Sequence, residues 1–241
     1  MKNKAIRAIN AFIGIANPRT WGPLVETFET TKFDHAFDIS WSQGGEDIGL
    51  IYALKGVGNK RFVDVGAHDP SRFSVTRKLS MRGWSGVNID GNPDLIPAFN
   101  KYRPNDVNLW SCVGTESEYI FTIFEEPALS TINSQWRTRF IGENQKVKKE
   151  IKVPGITLRT VFDRYFDGGF PDLLCIDAEG ADLDVLESAS LKKGNGPEWL
   201  LLEADPPLAK VIETPAVALA LSLGYEIYLV MGMSTLLHLK S

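Results

Sequence analysis

Short runs that are apolar but for an acid at or near their end recur along this chain, each closed by a turn and most followed by a stretch of helical character. Phe62-Val63-Asp64-Val65 leads into Gly66-Ala67-His68-Asp69-Pro70, and a helix is predicted from Ser74 to Arg82. Gly86-Val87-Asn88-Ile89-Asp90 leads into Gly91-Asn92-Pro93 and a helix over Leu95 to Tyr102. Asn108 to Val113 makes a third run, Leu173 to Asp177 a fourth, with Ala178-Glu179-Gly180 and a helix from Asp182 to Ser188 behind it. Trp199 to Glu203 is the fifth, and 224–230 with 234–239 read as a closing hairpin. A strand without a polar face has to be covered on both sides, which in soluble proteins means a parallel sheet between helices. The predicted architecture is α/β, a doubly wound, mostly parallel Rossmann-like sheet.

Residues 115–157 interrupt that rhythm. Tyr119 to Phe124 and Lys149 to Val153 read as strands on either side of a polar connection, an inserted β flap of the kind that covers a pocket. Upstream, Met1 to Ala16 places Lys2, Lys4 and Arg7 ahead of a brief apolar run. Arg7 and Asn10 break it, so it reads as an amphipathic helix rather than a secretory leader. The expectation is one domain over 1–241, with a helical N-terminal cap over 1–57 and a core over 58–241. With 241 residues, 44% of them hydrophobic, the chain can bury a core without staples. The formal charge of −4 argues against a duplex nucleic-acid partner. No run of about 18 apolar residues occurs, so no membrane span is expected, although the N-terminal helix leaves a membrane surface open as a contact. Two cysteines, Cys112 and Cys175, both in apolar runs, make no disulfide framework and point to a reducing, cytoplasmic setting. A second copy of the chain also stays open as a partner.

Ligands of open parallel sheets bind beyond the carboxyl ends of the strands. Asp64 sits near the end of the first strand, Asp90 ends the second, Asp177 the fourth and Glu203 the fifth. Acids gathered at one buried edge need a ligand, a metal or hydrogen bonds to satisfy them. Gly66 supplies a glycine where backbone must approach a ligand, and Asp90, twenty-six residues beyond Asp64, stands where dinucleotide folds bind ribose hydroxyls. The G-x-G-x-x-G cradle and the phosphate loop G-x-x-x-x-G-K-[ST] are both missing. A site for ribose and adenine without pyrophosphate fits S-adenosylmethionine better than NAD or ATP.

Four segments then carry a family resemblance: Ser42-Gln43-Gly44-Gly45-Glu46-Asp47, Val63 to Pro70, Arg82 to Pro93, and Ile176-Asp177-Ala178-Glu179-Gly180-Ala181-Asp182. In content and order they resemble an FkbM-type methyltransferase, from about Ser42 to Glu203. The resemblance implies an S-adenosylmethionine-dependent O-methyltransferase acting on a hydroxyl of a sugar, glycoconjugate or natural product. Gly91 departs from the proline common at that place in the family. By the same resemblance, Gly66, Ala67 and His68 line the methionine part of the cofactor, and Asp64 faces its amine or orders that loop. Asp90 holds the ribose, with Gly91 and Asn92 beside the adenosine and Cys112 and Val113 flanking the adenine. Asp177 and Glu179 stand near the methyl group, and Gln43 and Glu46 close the pocket from the cap.

Methyl transfer to a hydroxyl needs in-line alignment and a destination for the proton. Two routes are open: a base, from Asp177, Glu179 or His68, or Mg²⁺ held by Asp177, Glu203 and Asp205. Each residue also has a plainer reading. His68 orients its own loop, Glu179 is a first-turn helix acid, Glu203 caps a neighbouring helix, and the cysteines are packing residues. Asp182-Leu183-Asp184 resembles the D-x-D of metal-dependent nucleotide-sugar glycosyltransferases, but positions i and i+2 of a helix diverge. Lysines 146, 148, 149 and 152 read as a solvated face or a grip on an anionic glycan. Trp136, with Arg137 and Arg139, reads as a sugar platform or as core. A cofactor-binding module without turnover is the remaining alternative.

Overall fold

The computed structural model describes residues 39–204 and 208–240. The N-terminal helix expected over 1–16, most of the cap and Asp205 lie outside them. The principal sheet is built on β1 (Arg61–Val65), β2 (Ser85–Asp90), β3 (Val107–Trp110), β7 (Leu173–Ile176), β8 (Trp199–Glu203), β9 (Tyr225–Met231) and β10 (Ser234–Leu239). Their spatial order is β3-β2-β1-β7-β8-β10-β9. The first five pair in parallel, and β10 runs antiparallel to both β8 and β9.

Alternation along each strand divides the core in two. Val63, Val65, Leu174, Ile176, Leu200 and Leu202 face one side, where α5 (Leu158–Tyr165), α6 (Asp182–Glu187) and α7 (Pro215–Ser222) cover them. Phe62, Leu173, Cys175, Trp199 and Leu201 face the other, against α1 (Glu46–Ala53) and α2 (Arg77–Met81). Burying each such aliphatic side chain contributes about 1.5–3 kcal/mol, which is why runs apolar on both faces settle at the centre. Near β2 the second face turns polar. Arg103, just after α3 (Ile96–Tyr102), is buried and bonds Asp106 at 2.8 Å, and Asn88 donates to Asp106.

The third apolar run does not form one strand. After β3 the chain leaves the first sheet at Ser111, whose N–H donates to the Asp90 carbonyl and whose hydroxyl donates to that of Pro154. It continues as β4 (Cys112–Val113) in a second sheet of order β4-β6-β5, with β5 (Glu118–Phe124) and β6 (Val147–Ile156) antiparallel to one another. These are the expected flap strands. Their connection is more ordered than a polar loop: it holds a 3-10 turn over Pro127–Leu129 and α4 (Ser134–Gly142), with Asn133 accepting from the N–H groups of Gln135 and Trp136 as its N-cap. The helix expected from Ser74 to Arg82 is shorter, because Thr76 spends its hydroxyl on Asp64. Among the described residues no helix is long and apolar enough to cross a membrane.

Candidate active site

A pocket enclosing about 1030 Å³, including its open mouth, lies at the carboxyl ends of β1, β2, β7 and β8, walled on the far side by the flap. It has an apolar end and an acidic end.

At the apolar end, Ile89, Cys112, Val113 and Phe121 form a slot. Asp90 closes β2 beside it, buried, with one carboxylate oxygen accepting the His68 N–H at 2.9 Å and the other the Asn92 N–H at 2.7 Å. Each oxygen keeps a second lone pair for a ligand hydroxyl. Burial pushes the Asp90 carboxyl up to about 6, against those two hydrogen bonds. Burial likewise pushes the Cys112 thiol up to about 12, which leaves it uncharged packing in this wall. Gly91 sits under the Phe121 ring, so any larger residue there meets the aromatic face.

At the acidic end, Glu46 reaches in from α1, Asp177 follows β7, Glu179 lies in the turn before α6 and Glu203 ends β8; Gln43 borders them. The Asp177 side chain is open to the pocket. Desolvation and the repulsion of neighbouring carboxylates raise the carboxyls of both Asp177 and Glu203, which titrate as a pair. Glu179 is pushed up to about 8 by its depth and then by Asp177 and Asp182, partly offset by Arg139.

His68 lines the pocket on a left-handed backbone (φ 53°). Its Nε2 lies 3.0 Å from a nitrogen of Arg72, which also holds Glu126 of the flap through two bonds of 2.9 and 3.0 Å. A guanidinium only donates, so Nε2 is the accepting, unprotonated nitrogen and its lone pair is engaged. Of the acids expected at this edge, Asp64 is placed elsewhere. One residue short of the strand end, alternation turns it to the opposite face, where it accepts from the Thr76 hydroxyl at 2.7 Å and shares a small separate cavity with Ala67 and Cys175. Ala67 and Asn92 likewise do not line the main pocket; Asn92 meets it only through Asp90.

For Mg²⁺ the donor set is incomplete: among the described residues no three His, Cys, Asp or Glu side chains are grouped to hold an ion. Asp205 is outside the described residues. Asp182 accepts the Ala178 N–H at 3.1 Å and Asp184 points to solvent, the arrangement of a helix start rather than of a D-x-D site. Trp136 is half-buried outside the pocket, packed on Gly180 with Phe140 at its edge and Arg139 over its face. Lys148 and Lys149 pair with Asp94, and Lys152 with Glu118. Phe121, Ser130, Ile132 and Met233 line the pocket from the flap and the last hairpin, and none of them belongs to a motif in the sequence.

A sheet of this order, with an antiparallel strand inserted next to its last edge and a pocket over the parallel strand ends, defines the class I methyltransferase architecture. The description "Methyltransferase FkbM domain" fits residues 64–210, more than half of the sequence, and the chain belongs to that family of S-adenosylmethionine-dependent methyltransferases. No curated protein matches it significantly. Among solved structures, precorrin-6y C5,15-methyltransferase of Geobacter metallireducens is 14% identical, with 87% of this chain and 95% of that one covered and a TM-score of 0.45. A TehB-like S-adenosylmethionine-dependent methyltransferase of Corynebacterium glutamicum is 12% identical over 93% and 100%, at a TM-score of 0.41. Fibrillarin of Aeropyrum pernix, with S-adenosylmethionine natively bound, is 12% identical over 75% and 65%, at 0.38. The residues fit the family's cofactor: a buried carboxylate with spare lone pairs beside an apolar slot suits ribose and adenine, and the acidic end suits an ammonium.

Proposed function

We propose that this protein transfers a methyl group to a hydroxyl of a sugar, glycoconjugate or natural product, and that Glu179 takes the proton. The observation that carries this reading is the placement of Glu179: it lines the pocket at the end away from the Asp90 slot, with a carboxyl raised to about 8. S-adenosylmethionine, when bound, supplies a methyl group already activated by its sulfonium. Asp90 accepts the ribose hydroxyls, while Ile89, Cys112, Val113 and Phe121 enclose the adenine. Asp177, Glu203 and Glu46 receive the methionine ammonium and keep bulk anions away.

An aliphatic hydroxyl attacks well only as its proton leaves, and a base whose pKa lies near the working pH serves best. The His68 lone pair is engaged by Arg72, and in this reading Asp177 and Glu203 face the cofactor's ammonium, which leaves Glu179 as the base. Ser130, Ile132, Pro127 and Ala128 of the flap border this end and form the acceptor wall. Since no Lys or Arg lines the pocket among the described residues, neutral or cationic acceptors are favoured over sugar acids and phosphates.

The test is a titration of the folded protein with S-adenosylhomocysteine, followed by screening of neutral, amino and acidic glycans and polyols with a labelled methyl donor. One-site binding and label on a hydroxyl, lost in Glu179→Gln, is the expected result. Binding without transfer to any acceptor class would favour a cofactor-binding module, and label on nitrogen or carbon would overturn the O-methyl assignment.

A further inference from the structure

We propose that Thr131 and Asn133 are positioning residues that tie the inserted flap to the Glu179–Gly180 turn and thereby fix the Glu179 carboxylate in the pocket. The proposal rests on the reading of Glu179 as the group at the acceptor end.

The turn is an unfavourable one for its sequence. Glu179 has φ 48° and Gly180 φ 90°, two successive left-handed residues. Glycine takes that conformation freely; a glutamate adopts it only where its surroundings hold it there. The holders come from the flap. The Thr131 hydroxyl donates to the Glu179 carbonyl at 2.9 Å, and the Asn133 amide donates to the Gly180 carbonyl at 2.7 Å. The Trp136 indole lies against the Gly180 α-carbon so closely that a side chain there would overlap it.

Both holders are themselves fixed. Thr131 is buried, exchanges backbone hydrogen bonds with Thr122 of β5 at 2.9 and 3.1 Å, and accepts the Asn133 N–H on its hydroxyl at 2.8 Å. Asn133 caps α4 with its oxygen while its nitrogen serves the turn. Alternation along the extended chain then gives this segment two jobs. Ser130 and Ile132 line the pocket, whereas Thr131 and Asn133 grip the turn. An acceptor pressing on the flap wall is therefore one residue removed from the hydrogen bonds that place the base.

The measurement is a carboxyl ¹³C NMR titration of the full chain labelled at glutamate, with Glu179 assigned by its disappearance in Glu179→Gln. The groups facing Glu179 are Asp177 after β7, Asp182 of α6, Glu203 of β8 and Arg139 of α4, and none of them is altered. In Thr131→Val, which keeps shape but removes the hydroxyl, the Glu179 midpoint is expected to fall by one pH unit or more, a tenfold loss of proton affinity. Thr131→Ser is expected to restore it. Asn133→Ser keeps a capping oxygen but cannot reach Gly180, and the same fall is expected there, which carries the test should Thr131→Val not fold. S-adenosylhomocysteine affinity should stay within about threefold throughout, because the Asp90 slot is untouched. An unmoved Glu179 midpoint in the folded variants, or an equal fall in Thr131→Ser, overturns the proposal. Failure of the catalytic reading is seen separately, as methyl transfer that survives Glu179→Gln while the titration behaves as described.

Discussion

Acidifying the solution from pH 8 to pH 5 should weaken S-adenosylhomocysteine binding about tenfold, through Asp90. Its carboxyl, raised to about 6 by burial, is nearly all ionised at pH 8 and only about one-tenth ionised at pH 5. Both of its oxygens already accept a backbone N–H, so under the proposed ribose assignment it would serve the hydroxyls as an acceptor only while ionised. If only the ionised form binds, the apparent dissociation constant rises about tenfold, or about 1.4 kcal/mol. The same group acts on folding with the opposite sign. Between the unfolded value near 3.8 and the folded value near 6, the native state binds more protons than the unfolded chain. Its contribution to stability is thus fully present at low pH and is lost, by about 3 kcal/mol, as pH rises through 6. Weak binding at pH 5 would accordingly not be a symptom of Asp90-driven unfolding. Calorimetric titration at pH 5 and 8, on the native protein and on Asp90→Asn, separates the two. The variant should bind at least about tenfold more weakly at pH 8, since a charged acceptor is worth about 1.5–3 kcal/mol per bond against about 0.5–1.5 for a neutral one. Its affinity should also lose Asp90's share of the dependence between pH 5 and 7, keeping only what the raised Asp177 and Glu203 carboxyls add. An unchanged constant across that range, or the same tenfold fall in Asp90→Asn, would refute the assignment.

Three further outcomes are expected. Glu179→Gln should lower the transfer rate by about 10²–10⁴ with little change in cofactor affinity, and should remove a limb of the pH–rate profile that rises toward pH 8; a profile that keeps that limb would place the base elsewhere. Gly180→Ala should destabilise the fold by about 1–3 kcal/mol, since φ 90° and the Trp136 ring both oppose a methyl group there; an unshifted melting temperature would show that the flap does not rest on this turn. Arg103→Ala should cost about 3–5 kcal/mol by leaving Asp106 buried and uncompensated, a fall in melting temperature on the order of 10 °C, which differential scanning calorimetry reads directly.

The parallel core was legible because its strands announce themselves: Leu173–Ile176 and Trp199–Leu202 are buried on every residue, and only a sheet covered on both sides accepts such runs. The same signal misleads at residues 108–113, where a mostly apolar run conceals a change of sheet. Ser111 makes that change with two hydrogen bonds to carbonyls distant in sequence, and neither periodicity nor turn chemistry registers a partner of that kind. The acids at the strand ends mark where the pocket lies, yet position along the chain alone does not say which face of the sheet each one takes. Asp90, Asp177 and Glu203 line it, whereas alternation carries Asp64 through to the other face of the sheet. The flap's share of the site was illegible for a further reason. Ser130, Ile132 and Thr131 are unremarkable residues whose significance comes from the turn they meet forty-eight residues later in the chain.

Gly66 follows β1 with φ 76°, and a Cβ on it would overlap the backbone carbonyl of Asp177. Its N–H and that of Ala67 both donate to the Ile89 carbonyl, so three strand ends meet around a residue with no side chain. The glycine of this loop is therefore demanded by the sheet before any ligand arrives. A descendant of this chain that abandoned methyl transfer would keep Gly66 for as long as it kept its fold, since the sheet needs it whatever the pocket holds. The glycine is a marker of ancestry and not of activity.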